Sequence, residues 1–206
     1  MQSKDHWEQL YSTKAADAVS WFQPHADVST RLIRASGLGR DAAIVDVGGG
    51  ASTLVDDLLD AGYGKLTVLD LSLAALAKAQ NRLGKRGSKV RWIEADITQV
   101  TFEPHSFDLW HDRAVFHFLT SAEERANYVG QVLNALKPGG YIIMATFGTN
   151  GPTQCSGLPV VRYSPEALHA EFGAAFSMVA QEEQHHHTPF GTDQQFIYCM
   201  CRWLPA

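Results

Sequence analysis

The sequence predicts an α/β fold: a doubly wound, seven-stranded sheet, mostly parallel, with the last strand antiparallel. Three observations predict it. Short apolar runs rich in β-branched residues alternate with segments of helical periodicity, which implies parallel pairing through right-handed crossovers. The first such run ends in Gly48, Gly49 and Gly50, directly before a helix. The last two strand-like segments are joined by a short stretch without a helix, which suits an antiparallel hairpin and not a parallel crossover.

Two helices are expected first, over 4–12 and 27–36, linked through Trp21, Phe22 and Pro24. Residues 41–47 (DAAIVDV) read as a buried first strand. The following helix, 52–59, places Leu54, Val55, Leu58 and Leu59 at helical spacing, with Ser52 as a candidate N-cap. The unit repeats with a strand at 66–69, then a helix capped by Ser72 and closed by Gly84. Strands at 90–94 and 107–110 come next. The helix at 122–136 sets Ala122, Ala126, Val129, Val132, Leu133 and Leu136 on one face, and a fifth strand, 141–147, begins after Pro138, Gly139 and Gly140. A short helix at 165–172 precedes the closing strands, 176–183 and 195–203.

Composition bounds the rest. The 206 residues carry 17 Lys and Arg against 22 Asp and Glu, a net charge of −5, with 45% of positions hydrophobic. That is the size and make-up of one domain, read as 1–206 with a helical cap over 1–40 and a sheet core over 41–206. The acidic balance disfavours a nucleic-acid partner, since affinity for the phosphate backbone comes mostly from Lys and Arg releasing counterions. No apolar run approaches the roughly 18 residues of a membrane helix, and residues 1–10 lack the apolar core of a secretory leader. Cys155, Cys199 and Cys201 cannot all pair within the chain, so reduced thiols and a cytoplasmic setting are expected.

A strand that delivers an acid, then glycines, then a helix N-terminus lets backbone amides approach a ligand closely, under the partial positive charge of the helix end. Here that device reads Asp46-Val47-Gly48-Gly49-Gly50-Ala51-Ser52. Against the dinucleotide fingerprint the third glycine position falls on Thr53, which argues against a pyrophosphate-bearing cofactor. Asp70 and Leu71 follow the second strand at the distance where a carboxylate accepts ribose hydroxyls. Asp96 beside apolar Ile97 suits an adenine, whose amino group donates and whose faces need apolar cover.

With these residues, the strand Phe107-Asp108-Leu109-Trp110 and the segment Leu136-Lys137-Pro138-Gly139-Gly140, the chain resembles the class I S-adenosylmethionine-dependent methyltransferases along nearly its whole length. The opening His6-Trp7-Glu8-Gln9-Leu10-Tyr11 is similar to small branches of that family, some acting on small molecules and some on protein lysines. The resemblance implies a Rossmann-like sheet and S-adenosyl-L-methionine as cofactor. By position it sets Gly48, Gly49 and Gly50 against the methionine portion, with Asp46 orienting that loop and the amino group. It sets Asp70 and Leu71 at the ribose, and Asp96 with Ile97 at the adenine.

Methyl transfer is an in-line displacement, so the protein's tasks are to align donor and acceptor and to present an unprotonated lone pair. The end of the fourth strand, His111 to Leu119, is dense in ionisable and aromatic groups and, by the resemblance, faces the transferred methyl. His111 is the candidate base and a cofactor contact, Asp112 the group that orients it or a substrate amine, and Arg113 the partner of a substrate anion. A purely packing role for His111 and His117, with Asp112 and Arg113 tying the loop together, stands beside that reading. His117 and Phe147, at the start of a Gly-rich loop, complete the candidate acceptor side, and Trp21 is a candidate cofactor contact. No metal is expected: Cys199 and Cys201 share a strand face with Ile197 and Trp203, and His185–His187 reads as a solvated run. The acceptor is expected to be a small molecule, with a protein lysine or a noncatalytic cofactor-binding role as alternatives.

Overall fold

The computed structural model describes residues 4–205. Positions 1–3, part of the stretch read as lacking a secretory leader, and 206, at the end of the expected domain, lie outside the described residues. Helices α1 (Lys4–Thr13) and α2 (Asp27–Ala35) precede β1 (Ala43–Val47), α3 (Leu54–Asp60), β2 (Lys65–Asp70), α4 (Leu73–Leu83) and β3 (Val90–Glu94). Then come β4 (Phe107–Arg113), α5 (Ala122–Ala135), β5 (Leu136–Phe147) and a small pair, β6 (Gln154–Cys155) and β7 (Leu158–Pro159). Helix α6 (Pro165–Phe172) leads to β8 (Phe176–His187) and β9 (Asp193–Trp203).

The main sheet has seven strands in the order β3-β2-β1-β4-β5-β9-β8. The first five run parallel, and β9 lies antiparallel between β5 and β8, as the helix-free connection requires. Both hairpin strands are longer than their apolar cores suggest, extending through His187 and from Asp193. A turn closed by Thr188 and Thr192 joins them. The ladder shifts register between Met178 and Ala180.

Side chains alternate across the sheet and so build two cores. On one face Trp110, Ile142 and Met144 pack with Tyr128, Val132 and Ala135 of α5 and with Leu168 and Phe172 of α6. The stripe α5 buries is thus rotated from the expected one: Ala122 and Ala126 are exposed. On the other face Ile44, Val68, Leu109 and Ile143 meet α2, α3 and α4 through Leu32, Leu54, Leu58 and Leu76. Each such fully buried side chain is worth about 1.5–3 kcal/mol.

Local chemistry sets the helix ends. Ser72 accepts from the Ala75 amide at the start of α4, and Ser121 with Glu124 forms a capping box on α5. Helix α3 instead starts at Leu54 with Thr53 as its N-cap and no side-chain cap bond; the expected cap, Ser52, lies one residue earlier and accepts from the Leu54 amide at 3.1 Å. Helix α1 lies against α4 through Leu10, Tyr11 and Ala75. Among the described residues no helix is long and apolar enough to cross a membrane.

Candidate functional site

The site forms where β1, β2 and β4 end beneath α1 and the chain between α1 and α2. Gly48 turns with φ +69°, and a Cβ there would stand 2.0 Å from Val115 Cγ2. At Gly49 a Cβ would meet the Asp46 carboxylate at 2.3 Å, and at Gly50 it would meet Asp70 Oδ2 and Ala75 Cβ at 2.5 Å. Only glycine lets the turn sit this close to both acids. The Gly50 amide donates to Asp70 Oδ2 at 3.0 Å and the Ser72 amide to Asp70 Oδ1 at 2.8 Å. Gly50 therefore holds Asp70 and lines neither cavity, in contrast to its expected cofactor contact. Burial pushes the Asp70 carboxyl up to about 6, against those two amides, which favour its ionised form.

Two connected cavities open around this turn. The larger, about 120 Å³, is lined by Asp70, Leu71, Asp96 and Ile97 on one side. Trp7, Tyr11, Trp21, Phe118 and Cys155 line its other side. The smaller, about 50 Å³, runs between Asp46, Gly48, Gly49, Ser29 and His111. Tyr11, Trp21, Val47, Gly48 and Arg113 border both, so they are two arms of one cleft.

Asp46 and His111 are opposite each other in the parallel ladder of β1 and β4, so their side chains share a face. His111 Nδ1 bonds Asp46 Oδ1 at 2.7 Å and His111 Nε2 bonds Ser29 Oγ at 2.9 Å. Asp46 Oδ2 remains buried with no hydrogen-bond partner. The next residue along β4, Asp112, points to the opposite face. There it accepts from the Val115 and Phe116 amides and from Tyr128 Oη at 2.6 Å, and Tyr128 accepts from Trp110. Burial holds the Asp112 carboxyl up at about 6, against those three donors.

Several expectations need correction on this geometry. Asp112 does not orient His111, because neighbours in a strand face opposite ways; Asp46 does. Asp112 fixes the turn after β4, where Ala114 takes φ +70°, and lines neither arm. His117 and Phe147, expected at the acceptor side, are wholly buried against each other, with ring centres 4.8 Å apart. His117 accepts from the Phe147 amide, and burial, with Arg113 nearby, lowers its titration to about 3, so it is neutral. The histidine run is not uniformly solvated: strand alternation turns His186 inward onto the Ser20 carbonyl at 2.8 Å, while His185 and His187 are exposed. Among the described residues no group of three metal-ligating side chains converges.

Residues not singled out from sequence complete the walls. Ser29, a small polar position on the buried face of α2, holds His111. Glu8 accepts from Ser72 Oγ at 2.7 Å and from the Ala74 amide at 3.2 Å, hooking α1 to α4. His6 Nε2 and Ser156 Oγ share a hydrogen bond of 3.2 Å, joining α1 to the β6–β7 turn. The sequence predicts a helix over 4–12, but nothing local in it marks what that helix docks on.

A glycine turn at the carboxyl ends of a mostly parallel sheet, with an acid ending each of β1 and β2 and a reversed last strand, defines the class I methyltransferase fold. Residues 44–140 match the family described as methyltransferase domain. That match spans just under half of the chain, and it is this family that the chain is similar to. The chain is 28% identical over 150 residues to an eEF1A lysine and N-terminal methyltransferase of Danio rerio, a match covering 70% of this chain and 21% of that protein. An EEF1A lysine methyltransferase 2 of Danio rerio is 28% identical over 158 residues, covering 70% of this chain and 68% of that one. The chain thus spans about a fifth of the length of the first of these relatives. Among solved structures, one from echinomycin biosynthesis, concerned with conversion of a disulfide bond into a thioacetal group, superposes with a TM-score of 0.76 at 18% identity. It covers 98% of this chain and 92% of that one. The Burkholderia thailandensis 1,6-didemethyltoxoflavin-N1-methyltransferase, bound to its substrate and S-adenosylhomocysteine, gives 0.68 at 18% identity, covering 98% and 84%.

Proposed function

We propose that the chain is a single methyltransferase domain, 1–206, with a helical cap over 1–40 and a sheet core over 41–206. In this reading it transfers a methyl group from S-adenosyl-L-methionine to a nitrogen, oxygen or sulfur nucleophile of a small molecule. The observation that carries the reading is the charge of the cleft: Asp46, Asp70 and Asp96 line it against Arg113 alone, and Asp46 keeps an unpartnered buried oxygen. A cleft of that sign suits a cofactor bearing an ammonium and a sulfonium, and opposes a pyrophosphate. The residues present therefore fit S-adenosylmethionine. Asp46, Gly48 and Gly49 would hold its amino acid portion, Asp70 and Leu71 its ribose, and Asp96 with Ile97 its adenine, with Trp21 and Tyr11 as cover. When bound, the cofactor supplies an electrophilic methyl carbon on a positively charged sulfur.

His111 works through Asp46 here: with both ring nitrogens engaged it orients the carboxylate and is a positioning residue, in place of the expected base. A small acceptor is supported by the His6–Ser156 contact, which straps α1 to the β6–β7 turn beside the first arm and would narrow the entry to it. A protein lysine acceptor is the second reading, on the lysine methyltransferase relatives above. A noncatalytic cofactor-binding protein is the third. The net charge of −5 argues against nucleic acid, and three free, buried cysteines suit a cytoplasmic setting.

Calorimetry with S-adenosylhomocysteine and NAD tests the cofactor: binding of NAD alone overturns the assignment. Turnover of labelled donor against pooled small molecules and against cell protein then separates the three readings by the presence and size of the labelled product.

A further inference from the structure

The cleft contains a cation that no acid matches. Arg113 ends β4 at the border of the two arms. Its Nε donates to Tyr198 Oη at 3.0 Å, its Nη1 to the Trp21 carbonyl at 3.0 Å, and its Cζ lies 4.2 Å from the centre of the Phe196 ring. All three partners are neutral. No carboxylate pairs with the guanidinium among the described residues, and Nη2 is buried without a hydrogen-bond partner. A half-buried guanidinium with one buried donor unspent is costly until an acceptor completes its fork.

The carboxylates of the cleft are the ones assigned above to the cofactor, and no histidine or thiol there is left to serve the acceptor as a base. Both His111 nitrogens are engaged, and neutral His117 lies outside the cleft. Burial keeps the Cys155 thiol protonated, its titration raised to about 12. The wall opposite Asp70 and Asp96 is apolar, built from Trp7, Val115, Phe118 and Leu119. An ammonium arriving beside Arg113 would meet like charge at the fork. A flat apolar ring carrying an anion meets a matching wall and a matching charge.

Building on the methyltransferase reading, we propose that the acceptor is a compact aromatic molecule whose acidic hydroxyl or thiol binds as the anion, with the ring against Trp7, Phe118 and Leu119 of the first arm, apart from the carboxylates assigned to the cofactor, and the anionic atom at the Arg113 fork. The acceptor's lone pair then forms the new bond to the methyl carbon as the carbon–sulfur bond of the donor breaks, its electron pair returning to sulfur. Sulfonium and anion become a neutral thioether and a neutral ether or thioether, and no proton needs a base within the step. Arg113 selects the acceptor by holding its ionised form.

The test uses the intact chain, labelled donor, a series of substituted thiophenols and phenols of graded acidity, and a lysine-containing peptide. Transfer to the thiols or phenols is expected, with an apparent pKa in kcat/KM that moves with the acidity of each acceptor. Arg113→Met should raise the acceptor KM by about tenfold or more, the loss of one charge-assisted hydrogen bond, and by more than it weakens S-adenosylhomocysteine binding through the Trp21 carbonyl that Arg113 also holds. Arg113→Lys, which keeps the charge and loses the fork, should fall between. If Arg113→Met fails to fold, Arg113→Lys and the acidity series still decide. Preference for the peptide, a pKa common to all acceptors, a loss confined to S-adenosylhomocysteine binding, or no transfer to any acceptor by a protein that binds S-adenosylhomocysteine would each overturn the proposal. Failure to bind S-adenosylhomocysteine at all would instead remove the methyltransferase reading beneath it.

Discussion

Glu8 of α1 grips Ser72, the N-cap of α4: its carboxylate accepts from both Ser72 Oγ and the Ala74 amide. Two residues earlier in the chain, Asp70 accepts from the Ser72 amide. One serine thus ties the helix over the cleft to the carboxylate within it, so the cover and the subsite proposed for ribose are mechanically one unit.

Glu8→Ala should therefore weaken S-adenosylhomocysteine binding by about three- to tenfold, the scale of a lost helix cap, with little change in the melting of the sheet core. These two hydrogen bonds, with Lys4 a lesser influence, hold the Glu8 carboxyl below its ordinary range. Its hold on α4 is accordingly present above that range and lost as pH falls through the lowered value. Calorimetry on the variant, and on the parent chain at falling pH, checks both.

The Asp70 carboxyl is shifted the other way, so the same loss toward low pH sets in at a higher pH. Its carboxyl titrates near 6 when the cleft is empty, and hydroxyl donors from a ribose favour the ionised form. Affinity for S-adenosylhomocysteine should be full above pH 6 and fall as pH drops below it, by up to about tenfold per unit. Asp70→Asn should bind weakly and without that pH dependence. A pH-independent parent chain would sink the assignment.

His111→Ala should cost donor binding, because it frees Asp46 and leaves Ser29 unpaired; a penalty of about 1–3 kcal/mol is expected from a broken buried network. A general base would behave otherwise, with intact S-adenosylhomocysteine binding and slowed transfer. Equilibrium binding beside single-turnover transfer separates these outcomes.

Gly48→Ala should destabilise the fold by about 1–3 kcal/mol, from a positive φ and a close contact with Val115. Denaturant unfolding measures the loss. An alanine tolerated without cost would mean that the turn is looser than described.

The strands, their alternation with helices and the acids at their ends were legible because each is a local pattern: Asp46, Asp70 and Asp96 lie where their strands stop. The pairing of residues across strands was less so. His111 looked like the partner of Asp112 by adjacency, yet the pleat sends them to opposite faces and the ladder gives His111 to Asp46. His117 and Phe147 read as a binding surface, since polarity and aromaticity do not reveal which side of a turn is inward. Ser29 and Glu8 were invisible as site residues, because their partners lie far along the chain. The exposed and inward histidines of the run follow from period-two alternation, once the strand is allowed to reach His187.

The register shift at Met178/Ala180 leaves Val179 half in solvent on the outermost strand. Beyond it that strand carries Glu182, Glu183, His185 and His187, with Arg31 reaching across to Glu182. A kinked, charged border is a poor template for another chain's backbone. This chain therefore resists growing into stacked, edge-joined aggregates along its longest free strand, and Glu182→Val with Glu183→Val should raise light scattering on storage.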